Sequence, residues 1–203
     1  MKTLFKCALL MLFCTGVMSA YSFTYSGSLD QSGPSVDLYQ VHITDWKDFS
    51  AQTLPTAFGI SDTELFLFDA TGLAVFGNDD MGGSDPLSVA LSCLPSADAS
   101  NPCGYDRDGF GPIQNGFYWL AVAYSPDMPL DAFNNPLFQA GLTSILEPTG
   151  AGALAGWDNS IYTQPDFDNN KYVLQITGVP EPSTLLLLSS GLGIGLLRKK
   201  RSS

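Results

Sequence analysis

Apolar and polar residues alternate in several short runs of this chain, and this period of two most constrains its fold. In the first run, Tyr39, Val41 and Ile43 alternate with polar residues, as in a strand with one buried face. Residues 65–68, Leu-Phe-Leu-Phe, are apolar on both faces, which favours a central strand. The alternating runs are 39–44, 87–92, 118–124 and 172–176.

Turn residues, mostly glycine, separate these runs. Outside the two ends of the chain no convincing helical period appears, although residues 137–146 have room for a short turn of helix. Roughly eight short strands therefore predict one all-β domain, an antiparallel β-sandwich of jelly-roll type.

The last 25 residues do not suit the surface of a soluble domain. A Pro-Glu-Pro triplet precedes the apolar run Leu185–Leu197, and four basic residues follow that run. As a helix the run spans about 20 Å, short of the roughly 30 Å of a bilayer core. Basic residues stay cytoplasmic, which would place the body of the protein outside. A short transmembrane helix is predicted, either as a weak permanent anchor or as a transient one.

This three-part order resembles the PEP-CTERM sorting signal of Gram-negative bacteria. The motif would be Pro180, Glu181 and Pro182, and the basic stop would be Arg198, Lys199, Lys200 and Arg201. The resemblance implies that exosortase, a membrane transpeptidase-like enzyme, recognises and removes the tail. It also implies transient insertion into the inner membrane, followed by residence at the cell surface or in an extracellular polysaccharide and biofilm matrix.

The N-terminus has the features of a secretory signal peptide. Lys2 and Lys6 precede an apolar stretch, Ala8–Val17, and the small residues Ser19 and Ala20 follow it. Cleavage is predicted after Ala20, with Ser19 as the alternative, and the Sec export machinery is a predicted partner. The chain is thus divided into a signal peptide (1–20), an exodomain (21–178) and a sorting signal (179–203).

The predicted exodomain is strongly acidic. Most of the basic residues lie in the two terminal segments, so residues 21–178 keep only three basic residues against nineteen acidic ones, a formal charge of −16. Phosphate contacts need lysine and arginine, which excludes a general nucleic-acid-binding protein. Such a charge favours solubility and the binding of cations.

Two cysteines remain once the signal peptide is removed. Cys93 and Cys103 bracket a loop rich in Pro, Ser, Asp and Ala, in a chain predicted to enter an oxidising compartment. We expect a disulfide between them, because two cysteines and the single His42 are too few ligands for a zinc site.

A second resemblance lies within the strand pattern. Three stretches, 62–72, 78–80 and 116–122, follow in order after Asp37-Leu38-Tyr39, and this order resembles the bacterial pre-peptidase C-terminal domain. The resemblance covers about residues 23–124 and implies a non-catalytic jelly-roll-like sandwich. Some members of that family bind calcium or extracellular polymers.

Two acidic loops are candidates for calcium. Asp79 and Asp80 follow Asn78 and precede two glycines, and carboxylate and carbonyl oxygens are the ligands that calcium prefers. Asp106 and Asp108 resemble the opening of a calcium loop but lack the remaining acidic positions of an EF-hand. Turn structure is the competing interpretation of both loops, so calcium is the one cofactor considered.

The sequence indicates no catalytic residues. His42 lies on the polar face of its predicted strand, and no nucleophile elbow, zinc helix or phosphate loop accompanies it. Trp46, Trp119 and Trp157 are either sugar-stacking platforms or core residues, and core is expected for two of them. The leading hypothesis is an exported non-enzymatic exoprotein that binds calcium or polysaccharide. The alternative is a secreted glycosidase-like hydrolase with an unrecognised carboxylate site.

Overall fold

The protein's structure, a computed structural model, describes residues 21–29, 34–55, 62–79, 91–94, 111–139, 145–158 and 171–180. The strands are β1 (Tyr21–Ser28), β2 (Val36–Ile43), β3 (Ser50–Leu54), β4 (Thr63–Asp69), β5 (Ala74–Asn78), β6 (Cys93–Leu94), β7 (Gly116–Tyr124), β8 (Met128–Leu130), β9 (Ile145–Leu146), β10 (Gly156–Asp158) and β11 (Lys171–Val179). These ranges contain no helix, so the prediction of an all-β domain is confirmed for them. The predicted signal peptide and transmembrane helix lie outside the described residues.

The strands form two main sheets and a ribbon. The first sheet has the order β1-β11-β3-β6 and the second the order β2-β7-β4-β5-β9, while β10 and β8 form the ribbon. Every strand pair is antiparallel. Because β4 lies in the middle of the second sheet, the prediction of a central strand from residues 65–68 is confirmed.

One apolar core joins the two main sheets. Ala51 and Leu174 of the first sheet belong to the same buried cluster as Ile43, Leu65 and Leu120 of the second. The alternation predicted for β2 and β11 is confirmed, since every second residue at the end of β2 and along most of β11 is buried. The two sheets therefore pack face to face through side chains that the period of two places on one side.

The middle of the second sheet, around β4, is buried on its other face as well. Phe66 and Phe68 lie on that face with Leu137 and Phe138, and Trp157 packs against the group. The ring centroids of Phe66 and Trp157 are 5.6 Å apart. This third layer, built from residues 128–139 and 145–158, explains why β4 is apolar on both faces.

Some local expectations are confirmed and others are wrong. One of the glycine-containing turns expected between the runs forms at Asp69–Gly72: Asp69 Oδ1 accepts hydrogen bonds from Thr71 N and Leu73 N, and Gly72 has a φ of +88°. Residues 137–139 and 145–146 are not helical, because Phe138 bridges Pro148 and the second pair forms β9. Ser92, expected on a polar face, is fully buried.

The two ends of the described domain meet in one sheet. Tyr21 pairs with Val179 in the register of β1 and β11. One residue before Val179, the Gly178 carbonyl accepts hydrogen bonds from Thr44 N at 2.9 Å and Asp45 N at 3.2 Å. The segments before residue 21 and after residue 179 therefore leave the domain side by side.

Candidate functional site: a buried carboxylate cluster

Three acidic side chains and one hydroxyl lie near one another where β4 begins, β5 ends and the chain turns from β7 to β8. We call Glu64, Asp79, Ser125 and Asp127 the carboxylate cluster. Strand alternation places Glu64 on the same face as Phe66. Pairing of Glu64 with Ala123 brings it close to the turn that contains Ser125 and Asp127.

Glu64 is one of the two carboxylates of the cluster that are almost fully buried. Its side chain is 3 % exposed, its Oε1 accepts a hydrogen bond from Ser125 Oγ at 3.3 Å, and its Oε2 has no hydrogen-bond partner. Burial, followed by the nearby charge of Asp79, raises the pKa of Glu64 well above its usual value. Asp62 and Asp127 raise the pKa further, so the described residues whose charges act on Glu64 are all acidic.

Asp79 lies near the Ser125 hydroxyl that donates to Glu64. Its Oδ1 is buried without a hydrogen-bond partner among the described residues. Burial raises the pKa of Asp79, and the nearby Ser125 hydroxyl lowers it. Glu64 and Asp79 thus each keep a buried oxygen that no described residue satisfies.

Asp127 closes the cluster from the β7–β8 turn. Its Oδ2 accepts a hydrogen bond from Ser35 N at 2.9 Å, and the residue is 3 % exposed. Burial raises the pKa of Asp127, the Ser35 hydrogen bond lowers it, and the charge of Asp158 raises it again. The Ser35 hydroxyl is also buried without a hydrogen-bond partner.

Hydrogen bonds from Ser92 and Cys93 hold the backbone around Asp79. The Ser92 hydroxyl donates to the carbonyl oxygens of Thr63 and Asp79. In addition, Cys93 N donates to Asn78 Oδ1 at 2.7 Å. The position of Asp79 is therefore set by β6 as well as by β5.

The structure describes only one of the four metal ligands considered from the sequence. Asp79 lies in the carboxylate cluster, whereas Asp80, Asp106 and Asp108 lie outside the described residues. Within the part of the chain that the structure describes, no three His, Cys, Asp or Glu residues are grouped closely enough to hold a metal ion. Cys93 is fully buried in β6, but Cys103 lies outside the described residues, so the disulfide stays a prediction.

The other candidates occupy structural positions. His42 is exposed and stacks on Phe117 of the neighbouring strand, with ring centroids 4.5 Å apart. Trp46 packs against the shared core, and Trp119 and Trp157 pack against the third layer. All three tryptophans are partly buried in apolar clusters, which is one more than the sequence led us to expect.

An open cleft lies on the third layer. Its volume is about 800 Å³, in the range of small-ligand sites. Apolar side chains and polar groups from both segments of the layer line it: Met128, Leu130, Phe138, Gln139, Thr149 and Asp158.

Sequence analysis missed three of the four cluster residues. Glu64 did carry a signal, because it is the one charged residue in the interior of an otherwise uncharged strand that is buried on both faces. Ser125 and Asp127 carried no such signal. Their contacts depend on the packing of a turn against a strand that is distant in the sequence, and Ser125 lies 61 residues from Glu64.

Residues 178–201 match the family described as the PEP-CTERM protein-sorting motif. The match contains the predicted Pro180, Glu181 and Pro182 and the basic stop, of which the structure describes only Pro180. No curated protein matches the chain. The motif implies an exported protein that exosortase processes at a membrane-linked surface. Among the residues with a described structure, none form a helix that is long and apolar enough to cross a membrane.

Proposed function

We propose that this protein is a non-catalytic exoprotein of a Gram-negative bacterium, acting at the cell surface or in the extracellular polysaccharide matrix after exosortase removes its tail. The match of residues 178–201 to the sorting motif carries this proposal. The acidity of residues 21–178, with three basic residues against nineteen acidic ones, suits a soluble matrix protein.

The position of the domain ends supports processing after folding. Because Tyr21 pairs with Val179, the predicted signal peptide and the sorting tail leave the domain at neighbouring positions. Both would reach one membrane while the domain lies outside it. β11 is paired with β1 and with β3, so a cut beyond Val179 leaves both ladders complete and the product folded.

We also propose the finer architecture predicted from sequence. The shared core of the two main sheets supports a sandwich of jelly-roll type related to the pre-peptidase C-terminal domain. A disulfide between Cys93 and Cys103 would close the loop beyond β6, at a position held by hydrogen bonds from Ser92 and Cys93. The predicted contribution of this short loop is about 2–3 kcal/mol.

Polysaccharide is the ligand we propose for the cleft on the third layer. The cleft combines apolar walls with amide, hydroxyl and carboxylate groups, which is the combination that binds sugar rings and their hydroxyls. The acids with raised pKa values do not favour hydrolysis. Glu64 and Asp127 are each 3 % exposed, so a polymer has no direct access to them.

The test of this proposal follows the protein in its host. Wild type is compared with Glu181→Ala and with Glu147→Ala, a control at an exposed position of the domain. The sorting variant should stay in the membrane fraction with its tail attached, while wild type and control reach the matrix fraction. Equal distribution of all three proteins would contradict the proposed route.

Retention on host polysaccharide separates binding from hydrolysis. The matrix protein should bind the polymer without releasing reducing ends. Gln139→Ala, at the rim of the cleft, should weaken that retention. If the protein releases reducing ends, and substitution of a single aspartate abolishes that release, the protein is a hydrolase instead.

A further inference from the structure

We propose that Glu64, Asp79 and the Ser125 hydroxyl bind one calcium ion at the seam of β4, the end of β5 and the β7–β8 turn. This inference deepens the proposed function, because it names an ion that an exported protein meets outside the cell. The sequence already predicted Asp79 as a calcium ligand, and this inference adds Glu64 and Ser125.

Unbalanced negative charge is the first reason. Glu64 is 3 % exposed, and the charges around it come from Asp79, Asp62 and Asp127. A buried carboxylate is costly unless a partner compensates it. Among the described residues, no cationic side chain contributes to the charges that act on Glu64, and a bound cation would supply a partner.

Two unsatisfied oxygens are the second and independent reason. Glu64 Oε2 and Asp79 Oδ1 are buried and accept no hydrogen bond, and buried polar atoms are almost always satisfied. Leu65 pairs with Asn78, so Glu64 and Asp79 follow one another across neighbouring strands, and both lie near the Ser125 hydroxyl. A cation bound between the two unsatisfied oxygens would satisfy both.

The chemistry of the donors selects the ion. Every donor is an oxygen, which suits a hard cation rather than zinc or copper. Asp79 is only partly buried, so the ion has a route from solvent. Calcium tolerates irregular shells completed by water, whereas magnesium demands near-octahedral geometry. With no third acidic ligand grouped among the described residues, we expect a weak site of about 1 mM, in the range of extracellular calcium modules.

The experiment measures thermal unfolding of the full chain in detergent, with calcium or with chelator, at neutral pH. A dissociation constant near 1 mM predicts that about 10 mM calcium raises the Tm by roughly 3–6 °C. Glu64→Gln removes one ligand charge and keeps the shape of the side chain, and Asp79→Asn does the same at the less buried position. Glu147→Gln is the matched control, because Glu147 is exposed and lies outside the cluster.

Wild type and Glu147→Gln should show the full calcium shift, and both cluster variants should lose it. In chelator, Glu64→Gln should unfold at a higher temperature than wild type, since it no longer buries an unpaired charge. Absence of a calcium shift in wild type would overturn the site. A full shift retained in Asp79→Asn and in any folded Glu64→Gln would place calcium elsewhere and also overturn it. These results are independent of tail processing, so the site can fail while the sorting proposal stands.

Discussion

Substitution of Gly178 by alanine should destabilise the domain through two separate effects. Gly178 has a φ of +74°, and a Cβ there would lie 2.6 Å from the Asp45 carbonyl oxygen and 2.7 Å from Phe49 Cα. The left-handed conformation costs a non-glycine residue about 1–2 kcal/mol. Overpacking against backbone atoms adds about 1–3 kcal/mol. We therefore expect Gly178→Ala to lower the free energy of unfolding by roughly 2–5 kcal/mol.

Gly150→Ala isolates the first effect. Gly150 has a φ of +79°, but nothing lies within 4 Å of the position that a Cβ would take there, so only the conformational cost of about 1–2 kcal/mol applies. Urea unfolding of the full chain in detergent, followed by tryptophan fluorescence, measures both variants. The difference between them is the cost of the close approach of β11 to the chain after β2. An equal loss in the two variants would refute the packing described for Gly178.

Two further predictions concern the third layer. Phe66→Ala should lower the free energy of unfolding by about 3–5 kcal/mol, because Phe66 is fully buried against Phe138 and Trp157. The control Phe133→Ala, at a residue 84 % exposed, should change it by less than about 0.5 kcal/mol. Equal urea midpoints for the two variants would contradict the third layer. Hydrogen bonds from Asn135, Phe133 and Gly152 lower the pKa of Asp131 to about 2. Because this pKa is lower in the folded state, the stabilisation from Asp131 should be complete above about pH 4 and disappear as the pH falls through 2. The Tm difference between wild type and Asp131→Asn should shrink over that interval, and a constant difference would contradict the assignment.

The sequence predicted the elements whose side chains follow one simple rule. Leu174 and Ile176 alternate with outward-facing residues, so β11 could be recognised without knowledge of its partners. The strand at 65–68 was also recognisable, because an apolar character on both faces requires cover on both sides. What covers its second face was not predictable, since residues 128–139 and 145–158 form only short strands and bridges.

The carboxylate cluster was mostly beyond sequence reasoning, for a physical reason. Its members come from three parts of the chain. The raised pKa values of its three carboxyl groups arise first from burial, which depends on packing rather than on local pattern. Ser92 illustrates the same point: its position in an alternating run predicted exposure, yet its hydroxyl is buried in hydrogen bonds to Thr63 and Asp79. Only Asp79 was identified from the sequence in advance, and the isolated charge of Glu64 within β4 was a further signal that was not used.

Mass spectrometry of the protein recovered from the surface and medium of its host tests sorting most directly. An unprocessed tail gives a tryptic peptide from Tyr172 to Arg198, because no lysine or arginine lies between Lys171 and Arg198. We expect this peptide to be replaced by a shorter one that begins at Tyr172 and ends between Pro180 and Ser183, beyond the last residue of β11. An intact Tyr172–Arg198 peptide, found only in membranes, would contradict exosortase processing and would indicate a simple anchored surface protein.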